Sequence, residues 1–184
     1  QDKFKMDHFD HTFRVVTSRS QGSETLFVYS TEFPDQIEQI GQLDLPPVGN
    51  YSSLAASRFS GDKLAVMLNT YSSNTYANRV YFIDLSEPAQ PVIGSEVTTT
   101  GRATHFEIRG DRLIGVGQSW GSDWNNHHAQ VTLYDVANVH QASLLKKLEL
   151  SGNTYLANWD YKSFRVMDDL DLILIPVSHY ELNH

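Results

Sequence analysis

The sequence predicts an all-β fold, and three observations predict it. First, one stretch recurs: Phe59-Ser60-Gly61-Asp62-Lys63-Leu64-Ala65-Val66-Met67 returns as Phe106–Val116 and, more loosely spaced, as Phe164–Ile175. Second, Gly61 and Gly110 lie 49 positions apart, within the roughly 40–50 residue period of radially repeated sheets. Third, each copy carries two kinds of strand pattern, one continuously apolar and one alternating and closed by Asp. Together they predict a section of a β-propeller, about three to four blades of four-stranded antiparallel sheet, within a larger ring. The blade-like units run over residues 4–48, 51–100, 102–151 and 155–184, the last incomplete.

The continuously apolar runs are Leu64–Met67, Leu113–Val116 and Leu172–Val177. Runs of this length suit strands covered on both faces. Phe13-Arg14-Val15-Val16 takes the same place in the earliest unit. The alternating strands are Val80-Tyr81-Phe82-Ile83-Asp84 and Val131-Thr132-Leu133-Tyr134-Asp135, rich in the β-branched and aromatic residues that favour sheet. Thr25–Tyr29 precedes them by one unit. Asp84 and Asp135 read as turn residues, because a short carboxylate accepts from backbone N–H groups two residues on. Gly61-Asp62 and Gly110-Asp111 read as hairpin turns.

Two segments have helical spacing, Pro34–Ile40 and Gln141–Leu148. Both fall where Pro91-Val92-Ile93-Gly94 falls in the middle unit, which reads as strand. Register across the repeat therefore favours strand for all three. The stretches Asn69–Asn78 and Gln118–His128 read as long loops at one edge, where binding residues collect on a rigid scaffold.

Composition bounds the function. The 184 residues carry 14 Lys and Arg against 22 Asp and Glu, a net charge of −8. Such a chain repels phosphate backbones, so no nucleic-acid partner is expected. No run of 18 apolar residues is present, so no membrane span is expected. With no cysteine, disulfides, thiol nucleophiles and Cys-type zinc sites are excluded. Opening at Gln1 and stopping soon after Leu172–Val177, the sequence reads as a section of a longer chain. Its open blade faces would be covered by the rest of a parent propeller or by self-association.

Four motifs carry a resemblance. Phe4-Lys5-Met6-Asp7-His8-Phe9-Asp10-His11-Thr12-Phe13-Arg14-Val15-Val16-Thr17 opens the chain. Val80-Tyr81-Phe82-Ile83-Asp84-Leu85-Ser86-Glu87-Pro88-Ala89-Gln90-Pro91 follows, then Asp111-Arg112-Leu113-Ile114-Gly115-Val116-Gly117, then Tyr161–Val166 with Leu172–Val177. In order and spacing they resemble the secreted bacterial and archaeal proteins with a C-terminal β-propeller domain distantly related to WD40 repeats. Two departures stand out: Tyr161 replaces a frequent His, and Ala137-Asn138-Val139-His140 replaces the usual turn. The resemblance implies an extracellular, periplasmic or cell-envelope location. It brings no catalytic residues.

Candidate binding residues fall in two places. Tyr71, Tyr76, Trp120, Trp124, His127 and His128 mark the loop edge, where aromatic side chains suit a protein or glycan partner. Arg58, His105 and Asp160 are channel-mouth candidates, since polar groups at the inner strands are the natural ligand site of a radial fold. Neighbouring His127 and His128 diverge on an extended backbone, so no metal site is read there. Near the N-terminus, Asp7 and Asp10 read as organisers of a turn into the strand Phe13–Thr17.

No nucleophile elbow, P-loop, dinucleotide fingerprint or zinc-protease motif appears, and no cofactor is expected. The function expected is a non-enzymatic scaffold or interaction module. The alternative is a propeller-based enzyme with a channel-mouth site, metal- or quinone-dependent, which would rest on fold analogy alone.

Overall fold

The computed structural model describes residues 3–18, 24–33, 35–48, 52–70, 77–120, 127–152 and 164–177. The first sheet is β1 (Met6–Phe9), β2 (Thr12–Ser18), β3 (Glu24–Phe33) and β4 (Gln36–Asp44). The second is β5 (Ser52–Ser60), β6 (Lys63–Thr70), β7 (Ala77–Asp84) and β8 (Val92–Thr100). The third is β9 (Arg102–Arg109), β10 (Arg112–Trp120), β11 (His127–Asp135) and β12 (Ser143–Leu150). A two-stranded fourth holds β13 (Arg165–Met167) and β14 (Leu172–Leu174). Every pairing is antiparallel and every sheet keeps chain order. Within the two segments with helical spacing, Gln36–Ile40 and Ser143–Leu148 are strand, as the repeat register requires, while Gln141 ends a short 3-10 turn.

Local chemistry sets the turns. Gly61 (φ 57°) and Gly110 (φ 54°) take the left-handed conformation in the β5–β6 and β9–β10 hairpins, which glycine adopts without steric cost. In the first sheet the same task falls to Asp10 (φ 44°) and His11 (φ 57°). Two consecutive left-handed residues are what a tight two-residue hairpin needs, and Asp and His are among the side chains that tolerate it. Asp7 is not part of that turn; it stands in β1 and pairs with Arg14. After the alternating strands, Ser86 N–H donates to Asp84 Oδ1 at 2.8 Å and Ala137 N–H to Asp135 Oδ1 at 3.0 Å. The departing turn at Asn138 is a short 3-10 turn, Val139–Gln141, capped by Asn138 Oδ1 accepting from His140 N–H at 2.9 Å.

The core lies between sheets, and strand alternation builds it. From β6, Leu64, Val66 and Leu68 pack toward the first sheet, against Val16, Leu26 and Val28. Ala65 and Met67, on the opposite face, pack toward the third, against Ala103, Phe106 and Leu113. Tyr81 and Ile83 divide from Val80 and Phe82 in the same way. In the third sheet Ile114 and Val116 turn toward Phe164 and Val166 beside the fourth. A strand whose successive side chains enter two different cores must be apolar at every position, and this explains the continuous runs at Leu64–Met67 and Leu113–Val116.

The outer turns tie each sheet to the one before. A Cβ on Gly94 would lie 2.6 Å from Val139 O, so the 136–142 turn of the third sheet rests on the bare backbone of β8. Ser95 Oγ donates to Val139 O at 2.6 Å, and Lys63 Nζ donates to Val136 O and Ala137 O at 3.1 and 3.2 Å. Gly41 of β4 meets Pro88 of the second sheet's turn in the same manner.

Two expectations change. The run Leu172–Val177 is not a strand covered on both faces: β14 holds only Leu172–Leu174, all exposed, and among the described residues it has one partner, β13. The long loops are shorter than expected, because the hairpin strands extend into them. Trp120 and His127 are paired strand ends, and His128 pairs with Ser119 within the ladder.

Candidate functional site

The innermost strands β1, β5 and β9 bring charged groups together. β9 bulges opposite Val116 and Gly117 of β10: Val116 pairs with His105 but Gly117 with Ala103, leaving Thr104 as the extra residue. That bulge reverses the facing of the side chains beyond it. His105 and Glu107 therefore share the face of Val116 and Ile114, while Ala103 and Phe106 face the second sheet.

Glu107 is the hub. Its carboxylate lies 2.9 Å from Arg58 Nη2, 3.1 Å from Arg109 Nη2 and 3.7 Å from His105 Nε2. The His105 imidazole, then the Arg58 and Arg109 guanidinium groups, hold the Glu107 carboxyl below the usual carboxylate range against the opposing effect of burial. At 3.7 Å this contact is longer than a usual hydrogen bond. Arg109 extends the array to Asp168 of the fourth sheet at 3.8 Å.

The short 3-10 turn Lys3–Lys5 lays Phe4 across this array. Arg58 stacks over the Phe4 ring at 4.8 Å, a favourable cation–π geometry. His105 is buried edge-on between Phe4 (4.9 Å) and Phe164 (5.6 Å), so it braces the site while Arg58 reaches open space. Beside Arg58 is a cavity of about 260 Å³ lined by Phe4, Met6, Asp7, Arg58 and Phe59. Its other charged wall, Asp7, pairs with Arg14, which is 2% exposed and donates to Gly61 O at 2.6 Å. The Arg14 guanidinium sits 5.1 Å from both the Phe9 and Phe59 ring centres.

The sequence-predicted residues divide. Arg58 and His105 meet through Glu107. Tyr71, Tyr76, Trp124 and Asp160 lie outside the described residues, as do the side chains of Trp120 and His127. His128 is half-buried in β11. Beneath the loop edge the space between second and third sheets turns polar: Asn69, Asn78, Thr99, Ser119 and Gln130 are all buried, and Asn78 Nδ2 donates to Gly101 O. Sequence reasoning missed Glu107, Asp7 and Arg14 as site residues. The alternation Glu107-Ile108-Arg109 was a readable signal, since residues two apart on a strand share a face. The Arg14–Asp7 pairing depended on hairpin register and had none.

Among the described residues, no group of three His, Asp or Glu side chains is placed to hold a metal ion. None of their helices is long and apolar enough to cross a membrane.

A family model described as the β-propeller domain matches residues 1–184. The chain belongs to that family. The four sheets are blades, stacked face to face, and the all-β partial propeller predicted from the repeat is the fold observed. No curated protein matches the chain. In propeller terms, β1, β5, β9 and β13 are the inner strands, and the Glu107 array joins three consecutive blades at their inner edges.

Proposed function

We propose that this propeller section is a non-enzymatic interaction module of an exported or cell-envelope protein. The observation that carries the reading is the division of labour between the two kinds of blade surface. Flat faces are spent on neighbouring blades, with side chains committed to three inter-blade cores. The connections at 71–76 and 121–126 differ in sequence from blade to blade, and rigid scaffolds place recognition on such loops. The occupant of this loop edge is a protein or glycan, met by Tyr71, Tyr76, Trp120, Trp124, His127 and His128.

The first blade supports a second element of the proposal. Met6, Phe13, Val15, Phe27 and Tyr29 share the β1–β3 face turned away from the second blade, as the register shows. Met6 is 50% exposed, and Phe13, Val15, Phe27 and Tyr29 are half-buried. A further blade of a parent propeller, or a second copy of the chain, covers this face.

The test is a glycan array and a cell-surface pull-down with the chain and its Trp120→Ala/Trp124→Ala variant. The expected result is specific capture by the chain and loss of capture in the variant, with an unchanged far-UV CD spectrum. Capture that survives the double substitution contradicts the loop edge as the recognition surface.

A further inference from the structure

We propose that the cavity between Asp7 and Arg58 is a binding site for a small zwitterion of the free α-amino acid class. It is a separate surface from the loop edge, so its failure leaves the loop reading standing, and the reverse holds as well.

The two charged walls are held separately. Asp7 and Arg58 line the same cavity but do not pair with each other; each has its own counter-charge behind it. Arg14 takes Asp7 Oδ2, while the carboxylate has a second oxygen, Oδ1, able to accept. Glu107 takes the Arg58 Nη2 group, while a guanidinium carries five N–H donors in all. The side chains of Asp7 and Arg58 are 34% and 26% exposed, enough to meet a ligand and too little for bulk water to screen them fully.

The bracing is rigid. Arg14 is buried between two aromatic rings and tied to the Gly61 carbonyl. Arg58 is stacked on Phe4 and its partner Glu107 is itself held by Arg109. Opposite charges on one cavity that cannot collapse onto each other form a preorganised dipole, and a ligand repays its desolvation there only by matching both ends. A carboxylate on Arg58 and an ammonium on Asp7 make that match through charge-assisted hydrogen bonds. An anion or a cation alone leaves one wall facing its own sign. Phe4, Met6 and Phe59 complete the lining, whose exposed surface is mainly polar. The space of about 260 Å³ is many times the roughly 10–15 Å³ that one water needs, and it leaves room for a small organic ligand.

The experiment is isothermal titration of the whole chain with free L-leucine, L-alanine, N-acetyl-L-leucine and L-leucine methyl ester. The last two each remove one charge. Free L-leucine is expected to bind about tenfold or more tighter than either derivative, the effect of losing one charge-assisted contact. Arg58→Gln is expected to weaken L-leucine by a similar factor without changing the already weak methyl ester. If that variant melts below the parent chain, the comparison of free and blocked ligands on the unaltered chain still decides. Absence of heat with both free amino acids at millimolar concentration, or equal affinity for the free and blocked forms, overturns the proposal.

Discussion

The first and second blades have the same four strands, in the same order and with the same antiparallel pairing, yet they are buried differently. In β6 of the second blade, Leu64 to Leu68 are all 2% exposed or less. In β2 of the first, burial alternates: Thr12, Arg14 and Val16 are buried, while Phe13, Val15 and Thr17 are not fully covered. Hydrogen bonding along the ladder is therefore not what distinguishes them. A blade with a neighbour on each side buries two apolar faces, and a blade with one described neighbour buries one. Strand pairing sets the shape locally; stacking supplies most of the stabilisation, because burial of apolar area is the dominant favourable term.

The contrast is broken most forcefully by cavity-forming substitutions. Phe82→Ala, in the core between second and third blades, is expected to cost about 3–5 kcal/mol, the range for buried aromatic truncation. Phe27→Ala, on the open face of the first blade, is expected to cost well under half of that. Chemical denaturation of both variants measures the ratio, and equal losses would show that the two blades do not differ in support.

A smaller effect separates two glycines. Gly94→Ala drives a methyl group into the Val139 carbonyl and is expected to cost about 1–3 kcal/mol, typical of overpacking. Gly61→Ala meets open space and pays only for its left-handed backbone, about 1 kcal/mol. A larger penalty at Gly61 would mean that the turn contacts between blades contribute little.

Acid sharpens the comparison in another way. Folding lowers the Glu107 carboxyl through His105, Arg58 and Arg109, and lowers the Asp84 carboxyl through the Ser86 backbone N–H and hydroxyl, with His140 adding to it. Carboxyls lowered on folding contribute stability that is fully present above their unfolded values, near pH 4, and lost as pH falls through the folded ones. Stability is expected to decline below about pH 4.5, and Glu107→Gln to flatten that decline. A variant with an unaltered acid limb would remove Glu107 from the array. At the small end, Glu96→Gln, which breaks an exposed pair with Arg79 at 3.4 Å, is expected to change stability by less than about 0.5 kcal/mol.

Much of the fold was legible because the repeat imposes one periodicity on every level. Continuous apolar runs meant two covered faces at Leu64–Met67 and Leu113–Val116, and repeat register favoured strand over the helical spacing of Pro34–Ile40 and Gln141–Leu148, where the strands Gln36–Asp44 and Ser143–Leu150 lie. Leu172–Val177 misled for a physical reason: its apolar run resembles its counterparts, but coverage depends on neighbours that a run does not encode. The site was less legible. Arg58 and His105 were visible as inner-strand polar residues, but the convergence of Arg58 on Glu107 depends on how β5 and β9 lie against each other, which the sequence does not encode. Asp7 looked like a turn former because turn and ion-pair roles use the same short carboxylate; only the Arg14 register distinguishes them.

The most direct test of the stacking account is native-state hydrogen exchange, read strand by strand. Amides of β6 and β7, enclosed by blades on both sides, should open only in global unfolding and exchange slowest. Those of β2 should be intermediate, and β13 and β14 should exchange fastest. Protection that is equal in β2, β6 and β14, following ladder hydrogen bonds and not coverage by neighbouring blades, would contradict it.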